Sequence, residues 1–412
     1  MGMYHANLRI PRVRTKELFL FVFFFLYFLP ITMIGGDRGG LPIDIVPSDV
    51  LAIFVALVYI FSNGTFSQKN KILILQIILL IYGFGLVALV IIQHGDILPL
   101  FSFFKFSKTI FPFIAGYALT RWLGQIVVLR ALSNSAVAFI FLLALSQFAY
   151  HFNFRPRLGS HFFELEVYGF PNSAASYYVF LLCCALIVVR TTAIRSMLFV
   201  LGGAFALGSL SRNALLIFIL AVIFFNLKGK VNPIRILVAF LLFSLIYFFL
   251  NWVNIPILTY SWDAMVSRME NAQYSNDISN GRFEIFSHTF DLISTRPLFG
   301  YGFQAFSQFS QYGTPHNQYL ELLFKVGVFG TFLYLSILYA GILQVFRHRA
   351  SMPPDLSLKG FYIIFGIIFV GSLAQPNFSY SPTGNLLFLI FGIFSYSPRQ
   401  NVKKIDYCSN SR

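Results

Sequence analysis

A few polar positions in an otherwise apolar chain carry residue types suited to chemistry. In "GTPHNQYLELLFKVGVFG", residues 313–330, a histidine and an asparagine stand immediately before a run apolar enough to enter a membrane. Thr314 has the character of an N-cap and Pro315 fits the first helical position, which would put His316 and Asn317 in the first turn. That end of a helix carries partial positive charge, attracts anions and disfavours imidazolium. The sequence therefore predicts a His316 that is neutral near pH 7 and able to accept a proton. An interfacial histidine with a backbone partner fits the same residues. Glu321 and Lys325, spaced i, i+4 in the favourable order, predict an ion pair on one helix face.

Arginines supply a second kind of chemistry, the binding of anions. Arg212 sits in "GSLSRNALLIF", with 16 residues between it and Arg195 and 15 between it and Lys228. Each arm then reaches only about 22 to 24 Å as helix, short of a hydrocarbon core of about 30 Å. Arg212 is thus expected to be recessed below one membrane surface, where a guanidinium is costly unless it meets an anion, an ion-pair partner or a polar cavity. Arg282, in "SNGRFEIFSHTFDLI", falls in the first turn of a helix capped by Ser279 or Asn280, with Phe283, Phe286, Phe290 and Ile293 marking its apolar face. A cation there opposes the helix dipole unless it shares an anion such as phosphate with the helix end, pairs with Glu284 or is solvated. Arg155 and Arg157 in "FRPRLG" form a third basic site. Lys105 and Lys108, spaced i, i+3, either guide a lipid phosphate or snorkel. "FGYGFQAF", residues 299–306, lacks the third glycine and the preceding strand of a dinucleotide fold and reads as a turn.

The elements that must position these residues are membrane helices. A composition 57% hydrophobic and 18% aromatic with 11% charge is far from that of a soluble chain. Stretches able to cross a bilayer lie near 17–35, 49–62, 72–93, 99–120, 131–150, 173–189, 196–210, 213–227, 234–251, 317–346, 360–375 and 384–398. The expectation is an all-α polytopic membrane protein of about twelve transmembrane helices, one membrane domain over 1–412. With the amino terminus ("RIPRVRTK") inside, the inner segments hold 20 of the 30 lysines and arginines, offset only by Glu17, Asp355 and Asp406. Both termini are then cytoplasmic, and topology explains the charge of +15 without a nucleic-acid partner.

The outer loops expected at 151–172 and, as the largest, at 252–316 are long and polar, the kind that carry function. The first apolar run ends in "PITMIGGDRGG", without a small-x-small cleavage site, and reads as a retained helix. Adjacent Cys183 and Cys184 inside a span, with Cys408 in the tail, offer neither a disulfide framework nor metal-ligand spacing. Glu164 and Glu166 are the close outer glutamates, and they have no evident partner for paired-carboxylate glycosidase chemistry. Transport of an anion would ask for polar residues along both halves of the path, whereas the polar constellation here is one-sided.

"SRNALL" (211–216), "GRFEIF" with "RPLFGYGF" (281–303) and "HNQYLELLFKVGVFG" (316–330), in this order among twelve spans, resemble the O-antigen ligase and polymerase superfamily. The resemblance implies a fold similar to the membrane glycosyltransferases of the C superfamily. It also implies transfer of a glycan from undecaprenyl diphosphate at the periplasmic face of the bacterial inner membrane, without metal or other cofactor. The acceptor would be lipid A-core for a ligase or a second lipid-linked glycan for a polymerase. By likeness, Arg212 and Arg282 would bind the diphosphate and His316 would orient or deprotonate the acceptor hydroxyl. Arg155, Arg157, Asn317, Glu321, Lys105 and Lys108 are the further candidates for contact with diphosphate or glycan.

Overall fold

The computed structural model describes residues 15–31, 33, 45–62, 70–151, 161–162, 165–166, 171–189, 191–209, 211–226, 282–348, 358–373 and 381–396. Its helices are α1 (Thr15–Tyr27), α2 (Pro47–Phe61), α3 (Lys71–His94), α4 (Leu98–Ser107), α5 (Ile110–Leu123), α6 (Gln125–His151), α7 (Pro171–Leu186), α8 (Thr192–Gly208), α9 (Arg212–Asn226), α10 (Arg282–Thr295), α11 (Gln318–Arg347), α12 (Leu358–Gly371) and α13 (Ser381–Ser395). The only strands among the described residues, β1 (His161–Phe162) and β2 (Leu165–Glu166), form a two-residue antiparallel ladder.

Among the described residues, four segments are long and apolar enough to cross a membrane: Lys71–His94, Leu98–Leu123, Gln125–Gln147 and Gln318–Arg347. Shorter apolar helices accompany them, including Pro47–Phe61, Ser173–Leu186 and Pro382–Ser395. The expected span at 234–251 lies outside the described residues. α7 and α13 are buried on all sides, from Ser173 to Ile187 and from Pro382 to Phe394, and act as the cores around which the others pack. A helix buried all round needs small residues where backbones meet. Gly116 of α5 and Gly392 of α13 provide this: a Cβ on Gly116 would lie 2.2 Å from the Leu389 carbonyl oxygen, and one on Gly392 2.0 Å from that of Phe113.

The expected span at 99–120 is present as Leu98–Leu123, built of two successive helices. It breaks between α4 and α5, where the Lys108 ammonium turns inward and meets the Asp49 carboxylate at 2.7 Å. Asp49, buried in the first turn of α2, also accepts from the Val46 amide at 3.1 Å and from Asn385 Nδ2 of α13 at 2.7 Å. The same Asn385 amide reaches Ser48 Oγ at 2.8 Å. One buried carboxylate therefore ties α2, the α4–α5 break and α13 together, and the hydrogen bonds that surround it make a buried charge tolerable.

α11 is interrupted as well. Its 30 residues would extend about 45 Å, but Gly327 has non-helical φ 62° and ψ −169°. The arm after the break, residues 328–347, is about 30 Å long, one hydrocarbon thickness. The backbone groups freed at the break are taken up by residues 297–303. Tyr301 N donates to Phe324 O at 2.7 Å and Gly302 N to Lys325 O at 2.9 Å, while Val328 N donates to Pro297 O at 2.9 Å. Irregular backbone inside a membrane protein survives when it is satisfied in this way. "FGYGF" is thus more than a turn: it is the insert that completes α11. Gly300, Gly302 and Gly327 all have φ near +60° (66°, 63° and 62°), a region costly for residues with a Cβ.

Candidate functional site

The starts of α9 and α11, two of the polar segments expected from the sequence, both meet the end of α12. Ser211 caps α9, its Oγ accepting from Ala214 N at 3.3 Å, so Arg212 opens that helix. The side chain of Arg212 is not among those described. Asn213, the next residue, is buried, and its amide donates to Ser176 Oγ of α7 at 3.3 Å and to Gly371 O of α12 at 3.4 Å. At the other end of the same hairpin the Arg195 guanidinium donates to the Phe225 carbonyl. The start of α9 is consequently held at both its neighbours, and Arg212 with it.

The start of α11 meets the same end of α12. Gln318 N donates to Ser372 O at 3.0 Å, Asn317 Nδ2 to Leu373 O at 3.0 Å and the Tyr319 hydroxyl to Phe369 O at 3.2 Å. The orphan donors of one helix start and the orphan acceptors of one helix end satisfy each other.

The N-cap of α11 is Asn317, whose Oδ1 accepts from Tyr319 N at 2.9 Å and Leu320 N at 3.1 Å. This corrects the expectation that Thr314 caps and that His316 and Asn317 lie in the first turn. Thr314 Oγ1 instead accepts the His316 amide at 3.1 Å, a serine/threonine turn that precedes the helix. His316 stands outside the helix with φ 52°. Histidine tolerates this region better than most residues, yet it costs about 1–2 kcal/mol, and such positions cluster at functional sites.

The electrostatics of His316 also have a different origin from the one expected. Its pKa lies below the usual 6.5, first because the ring is partly buried and second because the Arg282 cation stands near it. Both causes disfavour imidazolium. A neutral imidazole results, as the sequence suggested, from burial and a neighbouring arginine.

Arg282 opens α10 and is half-buried. The apolar face expected for α10 is partly wrong: Ile285, Thr289 and Ile293 are buried, whereas Phe283 and Phe290 are exposed. α10 is cemented to the first half of α11 through Ile293, Tyr301, Phe306, Leu320 and Phe324. Tyr301 stacks on Phe324 with centroids 4.6 Å apart. The insert at 297–303, α10 and the first half of α11 form one packed unit, and that unit carries Arg282 within electrostatic reach of His316.

Of the remaining candidates, Glu321 is paired with Lys325 at 2.5 Å, as their spacing predicted. Asn317 spends both ends of its amide on the α11 cap and on Leu373. Lys108 is turned onto Asp49, and Lys105 lies in the last turn of α4. Arg155 and Arg157 lie outside the described residues. No cluster of three or more metal-ligating side chains occurs among the described residues. Two residues were missed by sequence reasoning. Asn213 gave little signal beyond its place next to Arg212, but Asp49, an acid within an apolar span, gave a clear one.

Fold and site together define a multi-pass membrane protein with a histidine–arginine site at one end of a helix bundle. The family model described as O-Antigen ligase matches residues 197–335, from α8 into the crossing arm of α11. This part of the chain is similar to the O-antigen ligase and polymerase superfamily, a membrane glycosyltransferase type of O-antigen biosynthesis. Comparison with curated proteins gives no match.

Proposed function

We propose that this protein is an inverting, metal-independent glycosyltransferase that moves a glycan from undecaprenyl diphosphate to an acceptor at the periplasmic face of the inner membrane. The acceptor in this reading is lipid A-core, which makes the protein an O-antigen ligase. The observation that carries it is His316, held at φ 52° just before the start of α11 within electrostatic reach of Arg282, in a chain whose matched family model is O-antigen ligase. About twelve spans, cytoplasmic termini and an outer loop over 252–316 belong to the same proposal, with the basic residues of the inner segments as support.

In the reaction, the acceptor hydroxyl oxygen bonds to the anomeric carbon from the face opposite the leaving group. The bond from that carbon to the diphosphate oxygen breaks, and its electron pair leaves with the lipid diphosphate. The hydroxyl proton passes to neutral His316. Arg212 and Arg282 offset the charge that develops on the departing diphosphate, a task suited to permanently charged, planar, multi-donor groups. Arginine charge makes a metal unnecessary in this scheme, so transfer should survive chelation by EDTA.

Deletion of the gene tests the reading. A ligase mutant loses polymer on lipid A-core but accumulates it on undecaprenyl diphosphate. Loss of polymer on both carriers, with single repeats on the core, would identify a polymerase, the second reading within the same superfamily. An unchanged glycan profile would overturn both.

A further inference from the structure

We propose that α10 is seated in the lipid interface, with Phe283, Phe290, Leu298 and Phe299 in contact with the bilayer. The site helix that carries Arg282 would then be a membrane-surface helix, and lipid the partner of its outer edge.

The outer edge of α10 carries two large aromatic rings, Phe283 and Phe290, alongside the small exposed side chains of Ser287 and Ser294, where a water-facing helix would carry charge. Phe283 is 73% exposed and Phe290 56%, and the turn that follows adds Leu298 at 50% and Phe299 at 54%. Seven residues apart, the two phenylalanines lie on one line of the helix. Glu284 and Asp291, also exposed and seven apart, lie on a parallel line about 100° round the axis. Carboxylates and phenyl rings are thus sorted to different sides, although both sides are exposed. Arginines stand at both ends: Arg282 opens the helix, and Arg296 follows it with its guanidinium 4.9 Å from the Tyr301 ring centre. Aromatic rings flanked by basic residues are what headgroup and upper acyl regions accept.

Continuity with a membrane-crossing surface favours lipid over any other cover. Val328 N and Phe329 N donate to Pro297 O and Leu298 O, so the end of the α10 unit is stitched to the first residues of the crossing arm of α11. Phe299 touches Phe329, with ring centroids 5.9 Å apart. Phe329 and Phe332 are themselves exposed, on an arm as long as the hydrocarbon is thick. The exposed apolar surface of α11 therefore runs on into Phe299 and Leu298, with the exposed Ser294, Thr295 and Arg296 standing between these and Phe290 of α10. A helix seated there holds Arg282 at the depth of lipid phosphates. This seat is independent of the reaction assigned above.

The test is a depth measurement on the full chain in vesicles of phosphatidylethanolamine and phosphatidylglycerol. Cys408 is replaced by serine, Cys183 and Cys184 being buried, and a nitroxide is placed singly at 283, 290, 284 or 291. Labels at 283 and 290 should relax with molecular oxygen, which concentrates in lipid, and little with a water-soluble nickel chelate; labels at 284 and 291 should show the reverse preference. Equal chelate access at all four positions would overturn the proposal in favour of a water-facing helix. Shielding of 283 and 290 from both reagents would overturn it in favour of a second copy or a protein partner. Since all four side chains are exposed, labelling leaves the packing of α10 intact.

Discussion

Arg282 stands close enough to His316 that its charge, added to the partial burial of the ring, holds the imidazole below its usual pKa of 6.5. If neutral His316 accepts the proton, transfer is retained down to the depressed pKa and lost as pH falls through it. The acid limb of the rate profile should therefore lie below 6.5. Removing the cation relieves one of the two causes, so Arg282→Gln should move the limb of its residual activity to higher pH. A profile unmoved by that substitution would separate the two residues electrostatically and sink the paired site.

His316→Ala should lower transfer by about 10² to 10⁴, the usual contribution of a positioned base. Binding of the lipid-linked donor, measured separately, should change little. Loss of donor binding with an unaltered chemical step would move the histidine to the diphosphate side and leave Glu321 as the nearest alternative base.

Arg212→Lys keeps the charge but loses the planar fork, and transfer should fall at least about tenfold, the low end of what loss of one preorganised donor costs. Protein levels in the membrane should stay normal, since Ser211 and Asn213 hold the start of α9. Near-wild-type transfer in Arg212→Ala would reduce the arginine to a structural residue.

The Asp49–Lys108 pair predicts a different phenotype, instability rather than slow chemistry. Removing one partner of a buried pair strands the other, at about 3–5 kcal/mol, so Lys108→Met should lower the unfolding temperature in detergent. Lys108→Met combined with Asp49→Asn should recover part of the loss. Equal melting of the wild type and Lys108→Met would mean that the pair contributes nothing to holding the α4–α5 break.

Gly327→Ala should also destabilise the protein. A Cβ there would lie 2.3 Å from the Leu298 carbonyl oxygen, with φ already at +62°. The left-handed backbone alone costs about 1–2 kcal/mol, and the insert must then withdraw as well. His316 and Arg282 should separate together with it, so transfer should fall although neither residue is changed. Normal transfer by the alanine variant would show that the insert does not position the site.

What could be read from the chain depended on the range of the interactions. Apolar runs announced helices because a bilayer selects for length and hydropathy alone, and Glu321–Lys325 was visible because its two members share a helix. The break in α11 was hidden, since "FKVGVFG" reads as continuous helix until residues 297–303 are known to fill it. The inward turn of Lys108 was equally hidden, because its partner is 59 residues away. At His316 the inferred neutrality agreed with the structure for another reason: a local helix dipole was invoked where a distant arginine and burial act. Arg282 was singled out from its conflict with the helix end, and the structure supplies a histidine as neighbour that no local pattern could have named.

The insert that completes α11 also sets an order of events in the making of the protein. Residues 297–303 leave the ribosome before 324–329, so the partner for the interrupted helix is synthesised ahead of the interruption. Until the two meet, peptide groups on both sides lack partners, at several kcal/mol each if they enter hydrocarbon. The crossing arm can settle in the bilayer only with the insert in place, and the insert brings α10 with it. A chain that inserts α11 correctly has therefore already brought Arg282 to His316, before any substrate reaches the membrane.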